Sequence, residues 1–590
     1  MWTGIGVLGL LIVGGVIGAL IVRHDAASAK AELRYVEAHL SDASTAAGRD
    51  DLQRHLASAS SALSGAHAAL TLDPALVGAR YIPWFGTDIS GTAQIIDSTS
   101  AAVRSAGPVV QAAGRLQELS SKGHVNLVAL AALERAVQHA VVTTKAAATP
   151  VGGLWGPVGS ADAALTSQAS RVARSLVGLQ RASSIVGDLL GARGPRRVLL
   201  LLENNAEMRD QGMVLSYALL QGSQGTMHLL RRGSIQTIQP TAPVSTPLSP
   251  GTLAVFGSDE PNLIWQSING TANFPTSGAL AQAMFQQSTG IRVDEVIGVD
   301  VVALADLLKA TGPVSVPSVG VVLTNANATT FLLHTLYANL PNENDQLLRR
   351  DELSEAGYQV FRTSLSRQPS ISALGGSVAD AVEGRHLQVW SSNPAVEQEI
   401  TAAGASGAVD TINPSQTFHV ALQSATSAKL DYYTRVNIHY TVTLLDSGGA
   451  WVETTVAVRN TAPAGQAPSY QLGPDHINTN VVGQYFGNVY MWFPRGAQVS
   501  GGVAESGLEL AANSLRINPQ SSSSLDKWAF LPARLIGHKL QFRLVPQPRI
   551  VPETVTISVT GNQWKPLGTN TWSGILDRTR VVNFPISYVG

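Results

Sequence analysis

The sequence predicts a multidomain chain: an N-terminal transmembrane helix, an all-α bundle or stalk, an α/β head and a C-terminal β-sandwich. Three observations predict it. Residues 2–22 form an uncharged apolar run; from Ala26 to about Leu190 the apolar residues recur at helical spacing; after about Thr411 the apolar period falls to two. The boundaries implied are 1–23 for the anchor, 24–190 for the bundle, 195–410 for the head and 411–590 for the sandwich. Several cores are needed in any case, because single cores rarely grow beyond roughly 250–300 residues.

Composition narrows the function. The net charge is −1 and charged residues make up 14% of the chain, so it is folded material without the basic excess of a nucleic-acid binder. Nucleic acid is excluded as a partner on that ground. Arginine outnumbers lysine about fourfold and alanine is abundant, which reads as the bias of GC-rich coding. There is no cysteine, so a disulfide framework, a thiolate zinc site and a cysteine nucleophile are excluded.

The apolar run "WTGIGVLGLLIVGGVIGALIV", Trp2 to Val22, has the length of a bilayer-crossing helix. Trp2 and Arg23 stand at its ends, where an interfacial ring and a snorkelling cation belong. A cleaved signal peptide is the alternative, with "ASA" at Ala27–Ala29 as its site, but the run is long for that and no basic segment precedes it. Arg23, Lys30 and Arg34 follow the span, which on the positive-inside rule alone puts the large domain in the cytoplasm.

In the bundle, Leu52, Leu56, Ala59, Leu63, Ala66 and Leu70 step by four and three, the seam of a helix packed lengthwise on another. "LDPALVGARYIPWFGTDISG", Leu72 to Gly91, breaks that pattern as a connection, with Asp88 or Ser90 placed to cap the next helix. Further helices are expected over 91–119, 125–148 and 161–190. The functional reading is a spacer holding a head off the membrane; the plainer one is a packed accessory domain.

"GARGPRR", Gly191 to Arg197, reads as a linker. Strands follow at Val198–Leu202, Val214–Gln221 and Thr226–Arg231. Helix and strand then alternate through "SGALAQAMFQQSTG", "VDEVIGVD", "VVALADLLKATG" (closed by Gly312) and "PVSVP", with helices again at "TTFLLHTLYANL" and "DQLLRRDELSEAGYQVFRTSLS". That is α/β material. Beyond Thr411, "KLDYYTRVNIHYTVTLL", "WVETTVAVRN", "VYMWFPRG", "HKLQFRLVP" and "ETVTISVTG" alternate as half-buried strands of a sandwich.

No phosphate loop, His-Glu-x-x-His, nucleophile elbow or Rossmann fingerprint occurs, and no two histidines stand at metal-ligand spacing. His334 in "FLLHTLY" reads as a buried or rim residue. The chemistry-bearing stretch is "VLLLLENNAEMRDQGM", Val198 to Met213, where Asn204, Asn205, Glu207 and Arg209 follow an apolar strand at the place where open α/β sheets keep their crevices. Arg231 and Arg232 close the third strand; Arg349 and Arg350 follow the acidic "ENDQ". Converging guanidinium groups suit an oligophosphate, and Asp210, Glu343 or Asp345 could add a carboxylate for magnesium. The alternative is structural: Asn-rich turns bond their own backbone and exposed arginines are solvated or loosely paired.

Together "RRVLLLLENNAEMRDQGM", "GIRVDEVIGVDVVALADLLKATGPVSVP" and "AKLDYYTRVNIHYTVTL", with "ARYIPWFGTDISG" and "HLQVWSSNPAVEQEI", resemble the bacterial membrane-anchored proteins catalogued as domain of unknown function 4012. More distantly, the middle region resembles the catalytic domain of the LytR–CpsA–Psr proteins. Those transfer glycopolymers from a polyprenyl-pyrophosphate carrier to the cell wall, outside the membrane, with magnesium. In that comparison Arg209 matches an arginine of the polar turn, Gly312 one of two paired glycines, and Arg349 and Arg350 a late arginine pair. Pro313 replaces the second glycine and Lys309 stands where an aspartate is usual. The Pro-Arg-Asp signature after the third strand is missing, with "RRGSIQTIQP" in its place, and Gly212-Met213 replaces a doubled glycine.

The resemblance implies a single-pass protein of the cell membrane whose large domain is extracytoplasmic, binding a polyprenyl-pyrophosphate-linked glycopolymer. Asn204, Asn205, Arg209, Arg231, Arg232, Arg349 and Arg350 would hold the pyrophosphate. Arg209, Glu207 and Asp210 would be the catalytic groups of a phosphotransferase or pyrophosphatase, with Asp210 as ligand to Mg2+. The alternative is a non-catalytic scaffold or glycan-binding module in polysaccharide export or envelope assembly, with protein partners on the sandwich or the stalk.

Overall fold

The computed structural model describes residues 45–72, 85–121, 123–366, 371–475 and 477–589, with residue 81 and a few positions between 28 and 39. The apolar run 2–22 lies outside them. Among the described residues no helix is long and apolar enough to cross a membrane. The chain has a helical N-terminal region and several β-sheets in its C-terminal part, organised as two compact units.

The first unit takes in the described residues up to Pro195, with 223–227 and 371–376. Its helices are α1 (Ala46–Leu72), α2 (Phe85–Leu119), α3 (Leu127–Ala147) and α4 (Gly156–Leu189). The stepped residues Leu52 to Leu70 are buried and share one core with Val103, Val110 and Leu116 of α2 and with Leu133 and Val137 of α3. Asn126 caps α3, its Oδ1 accepting from Ala129 N at 2.9 Å. Asp88 does not cap α2. The helix begins three residues earlier, at Phe85, and Asp88 Oδ1 instead accepts from Trp155 N at 2.8 Å.

The second unit contains the sandwich and the head, apart from residues 223–227 and 371–376. The head's strands begin with β1 (Arg196–Met208), β2 (Gly212–Ser223) and β3 (Thr226–Ser234). After α5 (Pro250–Phe256) and α6 (Phe274–Thr289) come β4 (Glu295–Asp300) and α7 (Val301–Thr311). A small hairpin follows, β5 (Val314–Val316) with β6 (Val321–Leu323). Next is α8, made of Ala328–Thr330, a π turn Phe331–Thr335 and Leu336–Asn339. Then come α9 (Gln346–Ser366), α10 (Ile371–Glu383), β7 (Leu387–Ser391) and α11 (Pro394–Ala402). The sheet order is β3-β2-β1-β4-β7, with β1 and β4 parallel and β1–β2 and β4–β7 antiparallel. Leu199 and Leu201 of β1 face α6, packing with Phe274, Leu280 and Met284. Leu200 and Leu202 face the other side, towards α7 and α9. With both faces covered, β1 reads as the continuous aliphatic run seen in the sequence.

One expectation changes here. β1 does not stop at Leu202 but runs on to Met208. Its pairing with β2 shifts register between Leu202 and Glu203 and again between Asn204 and Met208. The polar residues Glu203, Asn204, Asn205 and Glu207 are therefore strand residues on a bulged end, where a bulge re-aims side chains. Only 209–211 form the turn.

The sandwich strands run β8 (Thr417–Ser424), β9 (Thr434–Leu444), β10 (Ala450–Asn460), β11 (Tyr485–Phe493), β12 (Gln498–Val499), β13 (Val503–Glu505) and β14 (Leu508–Ile517). They continue as β15 (Ser522–Leu531), β16 (Lys539–Val545), β17 (Glu553–Gly561), β18 (Trp564–Pro566), β19 (Thr571–Leu576) and β20 (Arg580–Tyr588). One sheet is β12-β15-β10-β9-β17-β19, the other β13-β14-β11-β8-β16-β20-β18. Their inner faces bury Phe418, Ile438, Val456, Phe542 and Ile557. The second sheet also packs outward on the head, where Ala421, Tyr490, Trp492 and Leu510 meet Phe256 and Ala272. That double packing explains why β8 is buried at every position while β9 and β10 alternate.

Candidate functional site

The polar end of β1 sits where the head meets β8 and the loop after β16. Along β8, Phe418, Val420 and Leu422 point into the sandwich, so the two-residue period turns His419, Ala421 and Gln423 to the head. Gln423 Nε2 donates to the Gly270 carbonyl at 2.7 Å. His419 Nε2 meets Asp210 Oδ1 at 2.5 Å and His419 Nδ1 meets the Val545 carbonyl at 2.9 Å. Acceptors on both sides call for a hydrogen on each ring nitrogen, or for one held by Asp210.

Asp210 is 0% exposed. Its Oδ2 takes Arg385 Nη2 at 3.1 Å and Gln211 Nε2 at 2.7 Å. Arg385 stands in the left-handed region, φ 62°, and also donates to the carbonyls of Pro546 (3.1 Å) and Ala272 (2.9 Å). The next residue, His386, bonds Asp300 Oδ2 through Nδ1 at 2.6 Å. Burial works against its charge, but the Asp300 carboxylate outweighs it and raises the His386 pKa. Asp300 Oδ1 caps α7 by accepting from Ala303 N at 2.9 Å. Asn205 Nδ2 completes the group, donating to Asp300 Oδ2 at 2.6 Å and to the Pro548 carbonyl at 2.8 Å. Glu203 lies beside them and accepts from Asn269 Nδ2 at 2.9 Å. Burial, reinforced by the Asp300 and Asp210 charges, pushes its carboxyl up to about 8 against the Asn269 bond. Glu203 is therefore protonated at neutral pH.

A second group lies on the other side of β1. Asn204 Nδ2 donates to Tyr337 Oη at 2.6 Å, and Glu207 is ion-paired with the buried Lys429. The rings of Tyr337 and Tyr470 are parallel with centroids 6.2 Å apart. Arg349 lies 3.8 Å from the Tyr470 ring centre and Lys429 Nζ 4.7 Å from it, within cation–π range. Arg349 is 1% exposed and its Nη1 donates to the Leu340 and Asn342 carbonyls, yet Nε and Nη2 have no acceptor. Two buried cations thus share the Tyr337–Tyr470 pair, and Glu207 is the ion-pair partner of Lys429.

The remaining predicted residues lie apart. Arg209 is half-buried and donates to the Ser424 carbonyl at 2.6 Å. Arg231 is exposed, 6.0 Å from the Tyr217 ring centre. Arg232 pairs with Glu355 and lies over Tyr358 at 4.9 Å, and Arg350 Nη1 reaches Ser234 Oγ at 3.4 Å. Lys309 pairs with Asp306 at 2.6 Å. Asp345 accepts from Asn342. His334 is a half-buried rim residue, 5.0 Å from Tyr432 ring to ring. The structure thus joins Asn204, Glu207 and Arg349 in one group and Asn205 with Asp210 in another, and sets Arg232 and Arg350 together along β3. Magnesium does not fit Asp210, whose two oxygens already serve His419, Arg385 and Gln211. Among the described residues no three His, Asp or Glu side chains gather at a metal-binding spacing.

Sequence reasoning missed Glu203, Asp300, Arg385, His386, His419 and Lys429. The signal available was a charged or imidazole residue at the start or end of an apolar strand, as in "GRHLQVW" and "AKLDYY". Without the fold nothing paired them.

Between the sheet and α9 run two adjoining clefts that share Leu202. One, with about 10 Å³ of internal space, is lined by Leu200, Ala218, Leu220, Arg232, Gly357 and Tyr358; the other, with about 20 Å³, borders Glu203, Asn204, Asp300, Leu304 and Leu353, so each has room for about one water. The lining is mostly aliphatic, with Arg232 at one rim and Asn204 at the inner end. Fold and site define a multidomain protein with a helical region and an α/β head bolted by buried polar groups to a β-sandwich. Residues 193–337, from just before β1 into α8, match the family model described as "Protein of unknown function (DUF4012)". No curated protein matches the chain.

Proposed function

We propose that the head binds a polyprenyl-pyrophosphate-linked glycopolymer at the cell envelope without transferring it. The observation that carries this is Arg349, buried against the Tyr337 and Tyr470 rings with two unmet donors, near an aliphatic gap under α9 that ends at Asn204, the hydrogen-bond partner of Tyr337. A pyrophosphate needs guanidinium donors that the protein has not already used; a polyprenyl tail needs a dry cleft, and the gap under α9, aliphatic but only about 20 Å³, would have to widen to take one. The resemblance to the LytR–CpsA–Psr domain supports the same ligand. Asp210 and Glu207, the candidate catalytic carboxylates, are committed to the buried Arg385 and Lys429, which speaks against turnover.

The test titrates the full chain, in detergent, with geranylgeranyl pyrophosphate. Saturable binding is expected, weakened about tenfold or more by Arg349→Met, as the loss of one charge-assisted pair implies. No binding, or binding indifferent to that substitution, would instead favour the scaffold reading. A specific observation also speaks for the scaffold: the Asp210–Arg385–His419 joint makes head and sandwich one body.

The same reading places the protein in the cell membrane by its apolar segment 2–22, with the large part outside the cytoplasm. Because the chain lacks cysteine, Ser524→Cys creates a single thiol at an exposed position. On intact cells a membrane-impermeant maleimide should label it. Labelling only after lysis would reverse the orientation.

A further inference from the structure

The six-stranded sheet turns one face to the core and leaves the other uncovered by the described residues. Alternation along β9, β10, β15 and β17 sets the outward residues in register. Most are what an exposed strand carries for its own sake: Thr441, Thr443, Thr455, Ser558 and Thr560 have high β-propensity or small polar side chains. Three are not. Trp451 is 42% exposed and Trp528 49%. Phe530, directly opposite Trp451, stands with its ring centre 5.3 Å away at 52°. Trp528 is two residues along the same strand face, opposite Glu453. The result is an aromatic ledge at the β10–β15 end that opens onto rows of hydroxyls.

We propose that this face is a binding site for an uncharged glycan chain. A sugar ring has apolar C–H faces and a rim of hydroxyls. The indole faces match the former, and Glu453 on the strand of Trp451, with Thr441, Thr443 and Ser558 one and two strands further along, can bond the latter. Charge supports the same ligand. The charges on this face balance, Glu453 and Asp526 against Arg435 and Arg459, so it offers no field for a polyanion. A protein partner or second copy would want a contiguous apolar core; here the three rings are the only large apolar side chains on the outward faces of β9, β10, β15 and β17, and the exposed Ile575 lies apart from them on the far edge strand β19. This site stands independently of the gap in the head.

The full chain in a detergent without sugar groups, titrated calorimetrically with neutral hexasaccharides of gluco, manno and galacto configuration, tests the proposal. At least one is expected to bind saturably, and Trp451→Ala or Trp528→Ala should weaken it about tenfold or more, the effect of truncating a Trp hot spot. Trp451→Phe should keep most of the affinity. Thr443→Arg, on the neighbouring row, should block binding and guards against a misfolded tryptophan variant. All four should leave geranylgeranyl pyrophosphate binding unchanged. The proposal is overturned if no neutral hexasaccharide binds, if the tryptophan variants bind as well as the parent, or if sedimentation shows a dimer that those variants dissociate.

Discussion

Asp210 and His419 lie 209 residues apart and meet at 2.5 Å, with Arg385 closing on the same carboxylate from 3.1 Å. All three side chains are buried. This is the joint between head and sandwich, and its stability depends on each member having the others. Removing one partner of a buried charged group costs about 3–5 kcal/mol, because the other charge is left without compensation.

Asp210→Ala should therefore lower the denaturation free energy of the second unit by about 3–5 kcal/mol. Asp210→Asn, which keeps one acceptor oxygen for His419 or Arg385, should cost less. Urea titrations followed by tryptophan fluorescence would measure both. If Asp210→Ala costs under about 1 kcal/mol, the size of a surface pair, the joint is not structural in the sense argued.

Much of the fold was legible in the sequence because it rests on periodicity. The seam from Leu52 to Leu70, Gly312 at the end of α7 and the alternating strands beyond Thr411 all announce themselves locally. The site was less legible. "ENNAEMRD" looked like a turn because polar residues usually mark strand ends, and only the pairing shift at Glu203 shows why a strand holds them. The partners that satisfy them, Asp300, Arg385, His419 and Lys429, come from four distant segments. Local sequence cannot show that a polar residue will be buried when the cover arrives two hundred residues later.

Glu203 predicts a pH dependence. Its carboxyl titrates near 8 in the folded chain and at its ordinary value, near 4.5, when unfolded. The folded state thus holds a proton that the unfolded state has released, so the contribution is fully present below about 4.5 and is lost as pH rises through about 8. Burial raises Asp431 and Glu553 to about 7 with the same sign. Across that window Glu203 alone contributes a slope of about 1.4 kcal/mol per pH unit. Glu203→Gln keeps the shape and the acceptor for Asn269 and should flatten the fall. Melting temperatures of parent and variant from pH 5 to pH 9 would decide it, and parallel curves would rule Glu203 out as the cause.

Two glycines on opposite sides of the sheet should respond differently to the same added methyl. At Gly298 of β4, a Cβ would stand 2.7 Å from Glu203 Oε1 and 2.8 Å from the Phe274 ring. Both neighbours are held, Glu203 by Asn269 and Phe274 by the core under α6, so overpacking should destabilise Gly298→Ala by about 1–3 kcal/mol. At Gly357 of α9, a Cβ would stand 3.3 Å from the two methyls of Leu202, which borders a small gap and can give by the little that is needed. The helix also gains about 1 kcal/mol when alanine replaces glycine. Gly357→Ala should therefore leave stability within about 1 kcal/mol of the parent or raise it. Equal losses at both positions, measured in the same urea titration, would mean that Leu202 has no room to shift beside the gap under α9.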